Sequence, residues 1–167
     1  MDNLLDVARF LTVSTCGVVP GIEELTAQGR NINLAISLHG ASQELRNRLM
    51  PINRKYPYPE VIQAADAYEK SNGRQVMYEY ILLDGINDRP EDARRLADAL
   101  EHRECVINLI PANPVPEKGF ARPTDQAVDR FFQLLKKRKL NVTVRKEMGK
   151  VSLNKNPGCI KEVCFSQ

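Results

Sequence analysis

Five short segments of the chain are apolar enough to form buried strands. They are rich in β-branched residues, and most of them end at glycine, proline, asparagine or other turn residues. Their nearly continuous apolar character is typical of parallel strands that are covered by helices. The predicted strands are residues 11–15, 32–38, 75–83, 105–110 and 141–144.

Between these segments the apolar residues recur every three or four positions, which predicts amphipathic helices. In residues 90–102, Asp88 and Glu91 have the spacing of a capping box at the start of the helix. The apolar face of that helix would consist of Ala93, Leu96, Ala97 and Leu100. The other predicted helices are residues 20–28, a short helix near Ser42, residues 59–72 and residues 124–138.

Strands and helices therefore alternate along the whole chain, and this order predicts an α/β fold. Strands joined by helical crossovers form a parallel sheet with right-handed connections. Five strands are too few for a complete eight-stranded barrel. The pattern predicts an open sheet or a partial parallel (β/α) barrel.

Composition adds little to this interpretation. The chain has 167 residues, 43% hydrophobic and 27% charged, which suits one globular core. No apolar run approaches the roughly 18 residues that span a bilayer, and the start does not resemble a signal peptide, so a cytoplasmic location is expected. The net charge of +3 is weak evidence for nucleic-acid binding. Local basic clusters are interpreted as solvated helix faces: Arg46/Arg48, Arg54/Lys55, Lys136 to Lys139 and Arg145/Lys146.

Polar residues follow the carboxyl ends of four predicted strands, where parallel α/β folds bind ligands. These ends carry Ser14, Ser37, His39 and Asn113, among others. A Ser-x-His sequence at one strand end is also a common turn device, but four polar ends on one rim favour a binding site. The chain contains no Gly-x-Ser-x-Gly elbow, Walker loop or Gly-x-Gly-x-x-Gly motif. Hydroxyl, imidazole and amide groups suit a polar organic ligand with ribose hydroxyls and an amino-acid tail.

Several long motifs, in this order, resemble the radical-SAM 23S rRNA (adenine-C2) methyltransferases and their C8-methylating relatives. They are TVSTCGVVPGI, NLAISLHGASQELRNRLMPINRKYP, YEYILLDGINDRPEDARRLADAL, NLIPANPVP and NVTVRKEMG. The resemblance implies an incomplete barrel, a [4Fe-4S] cluster and S-adenosylmethionine as cofactors, and 23S rRNA as partner. It implies S-adenosylmethionine contacts at Ser14, Ser37, Leu38, His39 and Asn113, and contacts to RNA phosphates at Arg54 and Lys55.

The chain also departs from the pattern of that family. The cluster motif CxxxCxxC and the Gly-Glu-Pro after it are absent, and the four cysteines have no spacing that replaces them. The methyl-carrying cysteine of the family would align with Asn156, so Cys159 and Cys164 are out of register. Cys159 is a candidate methyl carrier, and a divergent tail is the alternative.

We therefore expect residues 1–149 to be the C-terminal part of a radical-SAM partial barrel and residues 150–167 to be a divergent tail. The function expected from the resemblance is that of a portion of an rRNA methyltransferase, inactive without an N-terminal half. A non-catalytic remnant that binds S-adenosylmethionine or RNA is the main alternative, and a hydrolase using Ser37 and His39 is a third. Methylation at C2 or C8, and tRNA as a further substrate, remain open alternatives.

Overall fold

The computed structural model describes residues 11–115, 117 and 119–145. The boundary predicted after residue 149, together with Cys159 and Cys164, lies outside the described residues. Five strands are present in this part of the chain, each within one residue of its predicted bounds. They are β1 (Thr12–Thr15), β2 (Asn33–Ser37), β3 (Val76–Leu82), β4 (Cys105–Pro111) and β5 (Asn141–Val144).

The strands form one parallel sheet in the order β1-β2-β3-β4-β5, which confirms the predicted fold class. In the described part of the chain β1 pairs only with β2 and β5 only with β4, so the sheet is not closed. Because consecutive strands are neighbours, right-handed crossovers place the helices that connect the described strands on the same face. A doubly wound sheet would instead reverse its strand order and carry helices on both faces.

The helices are α1 (Val19–Ala27), α2 (Gln43–Leu49), α3 (Tyr58–Asn72), α4 (Pro90–Leu100) and α5 (Asp125–Lys137). A 3-10 turn, Pro51–Arg54, follows α2. Polar caps begin α2 and α5, since Ser42 accepts the Leu45 N–H and Thr124 accepts the Ala127 N–H, each at 3.2 Å. No helix in the described ranges is long and apolar enough to cross a membrane.

The predicted capping box at the start of α4 is wrong by one residue. The helix begins at Pro90, so Arg89 is the N-cap, and the Asp92 carboxylate accepts the Arg89 N–H at 3.3 Å. Asp88 instead accepts the Gly85 N–H at 2.9 Å and closes the preceding turn. Proline at the first helical position sets this register, because its lack of an N–H costs nothing there.

The core lies between the sheet and the helices. Val61, Ala65 and Tyr68 of α3 pack into it, as do the four apolar residues predicted for α4. The Tyr80 and Phe131 rings join β3 to α5, with centroids 5.3 Å apart and planes tilted by 37°. Each fully buried aliphatic side chain contributes roughly 1.5–3 kcal/mol by leaving water, so this helix-covered face dominates the stability of the fold.

Candidate functional site

Among the described residues, no helix covers the other face of the sheet, which is lined by a row of polar side chains. Strand register places Ser37 beside Glu79, Glu79 beside Asn108, and Asn108 beside Thr143. The Ser37 hydroxyl donates to the Glu79 carboxylate at 3.4 Å, and the Thr143 hydroxyl donates to the Asn108 amide oxygen at 3.2 Å. We call this row of four residues the polar ladder. It presents hydroxyl, carboxylate and amide groups on the open face.

Two of the predicted ligand contacts are accessible at or beyond the strand ends. Ser14 is exposed on β1 and shares the open face with Ala35 and Ser37, because it pairs with Ala35 in the register. Asn113 is exposed two residues beyond the end of β4. The carboxyl ends of parallel strands lie along one edge of a sheet, so the structure brings these residues to the same edge as Ser37 and His39.

Leu38 is placed differently from the other predicted contacts. Its side chain is fully buried in the helix-covered core. Its N–H donates to the Glu79 carbonyl at 3.0 Å, and its carbonyl accepts from the Arg46 guanidinium at 3.1 Å. Both backbone groups are therefore already used, and Leu38 anchors the residue that follows it.

His39 follows Leu38 in a left-handed conformation, with φ of 56°. Its Nδ1 accepts the Ile81 N–H at 3.1 Å, so the neutral ring carries its proton on Nε2. Burial, followed by the nearby Arg46 charge, lowers the His39 pKa to about 4. The ring is therefore neutral at pH 7, and Nε2–H remains as a hydrogen-bond donor. Ser37 bonds Glu79 rather than His39, so this geometry does not support the hydrolase hypothesis.

Buried Asn87 holds His39 in this position, a role that the sequence did not indicate. Its amide nitrogen donates to the His39 carbonyl at 3.0 Å and to the Ile81 carbonyl at 2.6 Å. Its amide oxygen accepts the Leu83 N–H at 2.7 Å. The Asn87 side chain thus joins the segment after β2 to the end of β3. Its three hydrogen bonds need both the donor nitrogen and the acceptor oxygen of the amide.

Arg46 corrects the interpretation of the Arg46/Arg48 pair as a solvated helix face. Arg48 is exposed, but Arg46 is fully buried at the carboxyl ends of β1 and β2. Its guanidinium donates to the Cys16 carbonyl at 2.6 Å, to the Leu38 carbonyl at 3.1 Å and to the Asn53 amide oxygen at 2.8 Å. Burial lowers its pKa to about 10, so it stays charged at neutral pH. Its five donors arranged as a fork explain why arginine suits this position.

Arg54 and Lys55 are both exposed, at the end of the 3-10 turn that follows α2. The turn is held from inside, because buried Asn53 bonds Arg46 and donates to Asn47 at 2.7 Å. The Lys55 ammonium lies 5.3 Å from the centre of the Tyr56 ring. The two cations therefore project from a well-anchored turn.

The described cysteines do not fit an iron–sulfur cluster. Cys16 follows β1 and Cys105 begins β4, so these thiols lie at opposite ends of the strands, and burial raises the Cys105 pKa to about 11. The ranges that the structure describes contain no group of three potential metal-ligating side chains. Cluster ligation normally needs several thiolates close together, so no chemical step is assigned here to a cluster.

A cavity of about 460 Å³ lies at the amino ends of β3 and β4, away from the polar ladder. It is lined by several acidic residues and by Arg103, which forms an ion pair with Asp66 at 2.8 Å. Asp98 and Glu101 form ion pairs with Arg138, which lies outside the cavity lining. Its position at the opposite end of the strands separates it from all of the predicted contacts.

The ladder residues Glu79, Asn108 and Thr143 were missed by the sequence interpretation. Their signal was the alternation around them: Glu79 stands between two tyrosines, and Asn108 stands between Ile107 and Leu109. A two-residue period of this kind places such residues on the face opposite the core.

Comparison with known proteins relates the chain to one group of enzymes. It is 49% identical over 141 residues to a probable dual-specificity RNA methyltransferase RlmN of Desulforamulus reducens, and 46% identical over 142 residues to that of Bacillus subtilis. These matches cover 84% and 85% of the chain but only 40% and 39% of the relatives. The chain thus spans about two fifths of the length of these curated relatives. No protein-family model matches it.

Solved structures are also similar to this chain. A radical SAM methyltransferase from Sphaerobacter thermophilus superposes with a TM-score of 0.82 at 44% identity, covering 85% of this chain and 42% of that one. A domain of pyruvate-formate lyase-activating enzyme from Bacteroides vulgatus has a TM-score of 0.64 at 15% identity, covering 86% of this chain and 89% of that one. The second likeness supports the fold alone.

Proposed function

We propose, from the premise that the chain belongs to the family of RlmN-type RNA methyltransferases, that its open sheet face binds S-adenosylmethionine as part of such an enzyme. The observation that carries the proposal is the polar ladder on the open face, which starts at Ser37 at the carboxyl end of β2 and continues through the centres of β3 and β4. Ligands of α/β folds bind at the carboxyl ends of the strands. The family relationship supplies the identity of the ligand.

The predicted contacts suit the chemistry of this cofactor. Ser14 and Ser37 offer hydroxyls, His39 offers an Nε2–H donor, and Asn113 offers an amide that both donates and accepts. These groups match ribose hydroxyls, adenine nitrogens and the amino-acid tail. We assign Leu38 a positioning role, since its backbone bonds fix the strand end that carries His39.

The proposed substrate is RNA, with carbon C2 of an adenine in 23S rRNA as the target. Exposed Arg54 and Lys55 would contact RNA phosphates, and that contribution would weaken with salt. Arg54→Ala/Lys55→Ala should lower RNA affinity and reduce the slope of log affinity against log salt concentration by about 2. Lys136→Ala/Lys137→Ala on α5 removes the same charge and serves as the control. We also propose a cytoplasmic location, because the proposed rRNA substrate is found there.

We propose further that this chain alone binds the cofactor but transfers no methyl group. Adenine C2 is electron-poor and does not displace a methyl group from a sulfonium by polar attack. The hydroxyl, imidazole and amide groups near the ladder cannot supply an electron, and such chemistry belongs to a cofactor. The chain contains no CxxxCxxC sequence that would hold the [4Fe-4S] cluster expected for the family.

An anaerobic methylation assay tests the proposed function. It combines a reductant, labelled S-adenosylmethionine and a 23S rRNA fragment with three samples: this chain, the intact Bacillus subtilis relative, and this chain plus the part of that relative which it does not match. We expect label on adenine with the second and third samples only. Label with this chain alone would disprove the proposed inactivity, and mapping the label distinguishes C2 from C8. A tRNA arm tests the second substrate.

The third sample also separates the alternatives. If the chain binds S-adenosylmethionine but restores no transfer with the added part, it is a non-catalytic binding remnant. If transfer is restored, Cys159→Ala tests the candidate methyl carrier. Loss of transfer with unchanged cofactor binding would support that role, and unchanged transfer would reject it.

A further inference from the structure

Glu79 is the only charged residue in the five strands of the described sheet. It lies on the open face at the centre of β3, with Ser37 of β2 on one side and Asn108 of β4 on the other. Its side chain is partly buried, and its one described side-chain contact is the hydrogen bond of 3.4 Å from Ser37. A carboxylate accepts about four hydrogen bonds, so most of its capacity is unused.

No lysine or arginine of the described ranges forms an ion pair with Glu79. The carboxylate is partly exposed on the open face beside the Ser37 hydroxyl, so it is accessible to a ligand. An accessible carboxylate without a counter-charge in the described ranges suits a ligand that carries a positive charge.

The position of Glu79 relates it to the rim. The Ile81 N–H, which His39 accepts, lies two residues further along β3, a strand rise of about 6.6 Å. β3 also lies between β2, which leads to His39, and β4, which leads to Asn113. A ligand that contacts both Ser37 and Asn113 therefore spans β3, and Ser37 shares its face of the sheet with Glu79.

We propose that Glu79 recognises the sulfonium centre of S-adenosylmethionine and makes the site selective for this cofactor over its demethylated product. The inference rests on the proposed function and deepens it. The ammonium and carboxylate of the amino-acid tail can be held by hydrogen bonds at the exposed rim. The sulfonium has no N–H or O–H, so only a charge or dipole can recognise it, and among the ladder residues the Glu79 carboxylate carries the opposite charge. S-adenosylhomocysteine keeps the tail and the nucleoside but carries a neutral thioether.

The test is calorimetric binding of S-adenosylmethionine and S-adenosylhomocysteine to the full chain and three variants. Glu79→Gln removes the charge with the same shape, Glu79→Asp keeps the charge, and Glu104→Gln removes an exposed carboxylate just before β4 as the matched control. We expect the wild-type chain to prefer S-adenosylmethionine by about tenfold or more. Glu79→Gln should abolish the preference, Glu79→Asp should retain part of it, and Glu104→Gln should leave it unchanged.

Each other outcome is decisive. If Glu79→Gln weakens both ligands equally, or neither, the assignment to the sulfonium is wrong while the proposed function stands. If the wild-type chain binds neither ligand, both proposals fail. Circular dichroism of all variants shows whether they fold, and if Glu79→Gln does not fold, loss of the preference in Glu79→Asp would overturn the inference.

Discussion

The two faces of the sheet differ by a single residue step along each strand. On the helix-covered face, register aligns Ile36, Tyr78, Ile107 and Val142, all of them buried. The next residue of each strand belongs to the polar ladder on the open face. The contrast shows how a two-residue alternation of apolar and polar residues supplies a buried core on one side and accessible polar groups on the other. A one-residue slip in register would exchange the two sets, so the helix packing also fixes which face carries the polar groups.

The largest loss of stability is expected at Arg46, a charged residue that is fully buried. Arg46→Met leaves the carbonyls of Cys16 and Leu38 and the Asn53 amide without their donor in a site closed to water. The free energy of unfolding should fall by about 4 kcal/mol, since each unsatisfied buried acceptor costs roughly 1–3 kcal/mol. Urea denaturation measures the change. Arg48→Met, on the exposed side of α2, is the control and should change stability by less than about 0.5 kcal/mol.

Adjacent residues of β4 compare the two faces directly. Ile107→Ala opens a cavity in the core and should lower the free energy of unfolding by about 3 kcal/mol. Asn108→Ala removes one partly solvated hydrogen bond and should cost less than about 1 kcal/mol. The same denaturation assay applies to both. Equal losses would show that the open face is not open in solution.

Acid should weaken the hydrogen bond by which His39, after β2, accepts the Ile81 N–H of β3. The His39 pKa is about 4 in the folded chain and 6.5 for an ordinary histidine, so the unfolded chain binds the proton more readily. The stabilisation is complete above pH 6.5 and is lost as the pH falls towards 4. Between pH 7 and pH 5 the loss should be about 2 kcal/mol.

His39→Asn provides the comparison for this pH dependence, because asparagine tolerates the left-handed backbone and does not titrate. The variant should be less stable at pH 7 but should lack this part of the acid sensitivity. Unfolding curves at several pH values measure it. An unchanged slope between pH 7 and pH 5 would assign the sensitivity to carboxylates instead.

The smallest stability effect is expected at Ser37, on the open face. Its hydrogen bond to Glu79 is long and partly solvated, so Ser37→Ala should change the free energy of unfolding by less than about 0.5 kcal/mol. Binding of S-adenosylmethionine should nevertheless weaken measurably. A variant that loses stability but keeps its affinity for S-adenosylmethionine would show that Ser37 stabilises the fold and does not bind the cofactor.

The elements of the fold were predictable because their signals are local. Strand bounds agree within one residue, and proline, glycine, serine and threonine mark most helix ends. The polar residues at strand ends were also visible in the sequence. Their site roles stay predictions. The burial of Arg46 was not predictable, because arginine next to other charges is usually solvated, and its three acceptors come from segments up to 30 residues away.

The sequence by itself therefore determined the parallel α/β order, the helix faces and the edge of the sheet at which the polar residues gather, because periodicity and turn residues act over a few positions. Only the tertiary structure decided which polar residues face each other. Register between strands more than 25 residues apart aligned Ser37, Glu79, Asn108 and Thr143 into one ladder. The helices determined which face remained open, since the free energy of burying apolar side chains depends on what covers them and not on the strand alone.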